Sequence, residues 1–144
     1  MAKPTESGAG QRRPDAWITG GLVYFAAALL LGFLLGTLRT LVMIPLVGEV
    51  VAVLLELPII LALTWLCCRQ IIGRFGIAPR WQDRFQMGAL ALVILLTVEF
   101  LMFVYLFDNA PGSFLTRPGD LLGLAGQGIY ALFPTLQLFI KKRL

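Results

Sequence analysis

The chain has 144 residues, the length of one domain, and 58% of them are hydrophobic against 14% charged. Soluble domains run at roughly 45–50% and about 25%, so this composition excludes an ordinary soluble fold and is that of an integral membrane protein. Histidine is absent, which excludes histidine-ligated haem, histidine-containing zinc sites, Ser-His-Asp or Cys-His catalysis and imidazole proton shuttles. The net charge of +4 comes without a basic run interleaved with aromatics, so nucleic-acid binding has no support.

In chain order, residues 1–16 are polar, carry Pro4, Gly8, Gly10 and Pro14, and read as a disordered cytoplasmic tail. Trp17–Leu38 follows as an apolar run of 22 residues, the length needed to cross a bilayer core of about 30 Å. It is longer than a signal-peptide core and is expected to be retained. Thr40–Cys68 has 29 residues, about 14 Å more than one crossing needs. Pro45 and Gly48 divide it, with Leu41–Val47 expected as a tight interfacial turn and the second span over 48–68. Cys67 and Cys68 are adjacent, which is neither redox nor metal-ligand spacing, and they read as small hydrophobes. A cytoplasmic loop, Arg69–Gln86, leads to a third span over 87–107. The irregular connector Asp108–Asp120 then leads to a fourth over 121–140, and 141–144 form a basic cytoplasmic end. The expected fold is all-α, a four-transmembrane-helix bundle over 17–140.

Basic residues set the expected orientation. Lys3, Arg12, Arg13, Arg69, Arg74, Arg80, Arg84, Lys141, Lys142 and Arg143 fall on one side, against Arg39 and Arg117 on the other. The positive-inside rule places the first group, and both termini, in the cytoplasm. Trp17, Trp65 and Trp81 fall near that interface, where aromatic anchors are expected.

Ionisable residues inside a span cost about 2.5–3.5 kcal/mol each on insertion scales, so Glu49, Glu56 and Glu99 ask for a reason. Glu49 and Glu56 share a helix face, and Glu49 stands in the first turn, where the helix dipole favours an anion. Glu56 is eight residues in from Gly48 and Glu99 eight residues in from Phe107. Both therefore lie about 12 Å deep, level with Gln127 and Tyr130 of the last span and below Arg39. Gly32 and Gly36 form a GxxxG pair suited to close helix packing. Gly123, Gln127, Tyr130, Pro134 and Gln137 form an inward stripe at helical spacing. The residues at this level are candidates for binding a proton, a cation or another ligand. They serve equally as a structural Arg–Glu network with a Glu–Gln/Tyr clamp. No catalytic residue, metal site or cofactor is expected.

The stretch GFLLGTLRTLVMIPLVGEVVAVLLELPII, with MGALALVILLTVEF and GQGIYALFP further on, resembles a family of small uncharacterised bacterial four-span inner-membrane proteins. Its pattern R-x5-P-x2-GE-x6-E-x-P falls here on Arg39, Pro45, Gly48, Glu49, Glu56 and Pro58. The resemblance implies four spans in a bacterial inner membrane and no particular chemistry. The fragment AVLLELP is also similar to the second span of a four-span enzyme family that handles glutathione and eicosanoids. That family's characteristic Asn and its His or Arg neighbours are missing here, where Val53, Leu54 and Leu55 precede Glu56. Three functions remain open. One is a non-catalytic accessory or assembly subunit in a larger membrane complex. Another is a homo-oligomeric proton- or cation-coupled transporter or channel using Glu56 and Glu99, and the last is a membrane-embedded enzyme acting on lipid or quinone.

Overall fold

The computed structural model describes residues 15–106, 108–116 and 118–143; of the polar tail expected over 1–16, residues 1–14 lie outside them and Ala16 already opens the first helix. Among the described residues every regular element is a helix. Helix α1 (Ala16–Leu38) runs into a π turn (Arg39–Met43) and the short α2 (Ile44–Val47). Then come α3 (Glu49–Phe75), α4 (Trp81–Leu101) with a second π turn (Met102–Leu106), a 3-10 turn (Pro111–Ser113) and α5 (Pro118–Arg143). Four stretches are long and apolar enough to cross a membrane: Ala16–Val47, Glu49–Phe75, Trp81–Leu106 and Gly119–Ile140.

Two segments differ from expectation. Leu41–Val47 is helical rather than a turn, because Pro45 falls in the first turn of α2, where its missing N–H breaks no hydrogen bond. The chain reverses at Gly48 instead, with φ +86°, a region that side chains with a Cβ rarely adopt. The expected loop Arg69–Gln86 shrinks to residues 76–80. Hydropathy marks where the bilayer ends, whereas the helices continue past it: Arg74 stabilises the last turn of α3 and Asp83 the first turn of α4. Gly76, with φ +60°, closes α3 by donating its N–H to the Ile72 carbonyl.

The helices pack as a ring in which α1 and α5 each touch both α3 and α4. One end of the bundle gathers Gly20, Ile77 and Met87; the other gathers Arg39, Glu49, Glu56 and Gly119. Glycines close the first end. A Cβ on Gly20 would collide with Ile77, one on Gly21 would crowd Leu90, and one on Gly88 would run into the Ala131 carbonyl. Without a hydrophobic force between helices in lipid, such close backbone approach is what holds them. Arg84, only 6% exposed, donates to the carbonyls of Ala78 and Ile77 and ties the short loop down. Hydroxyls on exposed faces bond within their own helix, Thr37 to Phe33, Thr40 to Gly36 and Thr97 to Val93, as lipid requires.

The core holds a second compensation. Pro134 is buried inside α5 and has no N–H, so the Tyr130 carbonyl lacks its helical donor. Tyr24 supplies one: its hydroxyl donates to that carbonyl at 2.8 Å, and the two tyrosine rings stack at 4.2 Å. Tyr24→Phe is expected to cost about 1–3 kcal/mol, the range for a buried acceptor left unpaired. In a Pro134→Ala background, where the helix regains its own donor, the same change is expected to cost far less. Folding free energies from SDS-induced unfolding in mixed micelles, taken around this cycle, measure the coupling.

Candidate functional site

Towards the end that holds Arg39 and Glu56, a cavity of about 360 Å3 lies between the four long helices. The sequence explains the space. Gly32 and Gly123 line it with nothing within 4 Å of where a Cβ would stand, so small residues here leave room instead of drawing helices together. Gly36 likewise meets no other helix. The expected packing role of Gly32 and Gly36 is therefore filled within the chain by Gly20, Gly21 and Gly88.

Acidic and polar side chains reach the cavity from different helices. Arg39, the first residue of the π turn after α1, donates through Nη1 to Glu56 Oε2 of α3 at 2.8 Å. The Glu56 side chain is 9% exposed and that of Arg39 32%, so the pair lies at the edge of the protein interior. From α4, Glu99 accepts a hydrogen bond from Gln127 Nε2 of α5 at 2.5 Å. Tyr130 lines the cavity one turn further along α5. A π turn holds an extra residue and re-aims the side chains beside it, a device common at functional sites. Both π turns stand here, contributing Arg39 from one and Met102 and Phe103 from the other.

Glu49 does not join this group. It lies in the first turn of α3, beside the start of α5, where a Cβ on Gly119 would stand 3.0 Å from its Oε1. The acid that meets Arg39 in the Arg–Glu network is Glu56. Pro58 sits two residues past Glu56 on the exposed face of α3.

Sequence reasoning missed several lining residues. Asp120 enters from the first turn of α5, and Phe114 and Leu115 enter from the connector. Phe114 sets its ring edge-on to Phe100 and Phe103, each at 5.3 Å. Leu115 holds φ +68° to make the turn. Asp120 carried a usable signal, as an acid two residues after Pro118 at a helix start. The aromatic contacts carried none.

Three buried polar atoms around the cavity make no hydrogen bond among the described residues: Arg39 Nε, Gln127 Oε1 and the Tyr130 hydroxyl. No cluster of three or more His, Cys, Asp or Glu side chains is placed to hold a metal ion among the described residues. The cavity thus combines an apolar body with one polar end rich in acceptors, which suits binding and orienting a ligand. Searches against protein-family models, curated proteins and solved structures found no match for this chain.

Proposed function

We propose that this is a small multi-pass protein of the bacterial inner membrane, with both termini cytoplasmic. We read its role as a non-catalytic accessory or assembly subunit with a buried Arg/Glu site in the outer half of the bilayer. The count of basic residues along the four expected spans, ten against two, supports the orientation. The site's depth follows from the helical rise between the span ends and Glu56 or Glu99. The location agrees with the R-x5-P-x2-GE-x6-E-x-P resemblance.

The observation that carries the role is that Glu56 and Glu99 are each held by a partner within the chain, Arg39 and Gln127. Acids satisfied in this way fix helix register and a defined site, as a subunit docking into a larger assembly requires. Extraction in a mild detergent through a C-terminal tag, followed by intact-mass determination, tests this. A heteromeric assembly is expected. A mass equal to a whole multiple of the tagged chain alone would overturn the accessory role.

A second reading, a homo-oligomeric proton- or cation-coupled transporter or channel, draws on a different observation. Gly32 and Gly36 are left without an intrachain neighbour, and Glu56 and Glu99 face one cavity. Flux that disappears in Glu56→Gln and Glu99→Gln would favour it.

A further inference from the structure

The cavity has a chemical preference, set by which atoms around it lack partners. Gln127 donates through Nε2 to Glu99 Oε2, an oxygen that only accepts when the carboxylate is ionised. That leaves Gln127 Oε1, an acceptor, buried without a partner beside the cavity. The Tyr130 hydroxyl, on a residue only 4% exposed, is equally without one. Among the described residues Glu56 is matched by the Arg39 guanidinium, whereas Glu99 is held by an uncharged amide. Around Glu99, Gln127 and Tyr130 acceptors therefore exceed donors, and the unpartnered Arg39 Nε belongs to the guanidinium already paired with Glu56.

We propose that this cavity binds a small cationic amphiphile, a primary ammonium on an apolar body, with its head among Glu99, Gln127 and Tyr130. An ammonium brings three donors and one positive charge, matching the acceptors present. A carboxylate or phosphate head would face the acids, and among the described residues the one cation lining the cavity is Arg39, already paired with Glu56. Leu57, Leu95 and Phe103 line the space for the apolar body. The volume of about 360 Å3 is at the small end of ligand sites, which run about 300–1,000 Å3, so a short chain fits. The proposal rests on the reading of the chain as a membrane protein and needs no partner subunit. Its failure on the isolated chain would leave the accessory role standing.

The purified protein in a non-ionic detergent is titrated at neutral pH by calorimetry with n-octylamine, octyltrimethylammonium and octanoate. Saturable binding of octylamine is expected. Octyltrimethylammonium, which has no N–H, is expected to bind about tenfold more weakly, the factor for about 1.4 kcal/mol, and octanoate not measurably. Gly123→Leu places a side chain into the cavity from a position with nothing within 4 Å of its Cβ. It is expected to abolish octylamine binding while leaving the thermal midpoint of the empty protein unchanged. Gln127→Leu is expected to weaken binding about tenfold. Octanoate binding as tightly as octylamine, undiminished binding in a folded Gly123→Leu, or no octylamine binding would each overturn the proposal.

The same ammonium is carried by free amines and by ethanolamine lipid headgroups. Repeating the titration in nanodiscs of phosphatidylethanolamine and of phosphatidylcholine separates these sources. Weaker octylamine binding in the ethanolamine lipid alone assigns the site to the headgroup, and equal binding in both assigns it to free amines.

Discussion

Gly88→Ala is expected to destabilise the protein by about 2–3 kcal/mol, although alanine favours a helix over glycine by up to about 1 kcal/mol. The added methyl would run into the Ala131 carbonyl. That oxygen belongs to a backbone and cannot rotate away as a side-chain tip would. Relief requires α4 and α5 to separate, which loosens the packing around Met87 and Ala91, both fully buried. Gly128→Ala is the matched comparison, since a Cβ there meets nothing within 4 Å. It is expected to be neutral or stabilising. SDS-unfolding free energies of the two variants measure the difference, and a neutral Gly88→Ala would mean that α4 and α5 do not approach this closely.

Arg39→Leu is expected to cost about 3 kcal/mol, the lower part of the range for stripping one partner from a buried ion pair. The Arg39 side chain is 32% exposed, which tempers the loss. The remaining Glu56 carboxylate would then face an apolar cavity with no cation beside it. Adding Glu56→Leu is expected to recover most of the loss, because two apolar side chains need no hydrogen-bond partners. The coupling from the double-mutant cycle is expected to be about 2 kcal/mol or more. An additive result would show that Arg39 does not hold Glu56 in the membrane-like environment. Glu49→Leu, measured alongside, is expected to show no coupling to Arg39→Leu.

What could be read from the chain and what could not divides along the kind of quantity involved. The four apolar runs are visible because lipid forces each crossing segment to satisfy its own backbone, which makes the number of long helices a local property of the sequence. That Glu56 and Glu99 line one cavity agrees with the common level expected for them, since depth accumulates at about 1.5 Å per residue and an end misjudged by two residues shifts it little. Partnerships are not legible in this way. A residue gained or lost turns every later side chain by about 100°, and the π turn at Arg39–Met43 introduces such a change where Arg39 meets Glu56. No hydropathy signal marks it.

The glycines carry the same lesson. Gly32 and Gly36 have the spacing of a packing motif yet meet nothing, whereas Gly20, Gly21, Gly88, Gly119 and Gly126 each approach a neighbour. Spacing describes a ridge on one helix, while contact depends on what the facing helix presents. Tyr24 is the clearest case, because its hydroxyl serves a carbonyl 106 residues away that Pro134 has orphaned. By itself the sequence determined an all-helical chain with four stretches able to cross a membrane, since these follow from composition and from rise along single helices. Only the tertiary structure decided which side chain answers each acid, which end of the bundle closes and where the cavity stands, since these depend on the rotation and spacing of helices relative to one another.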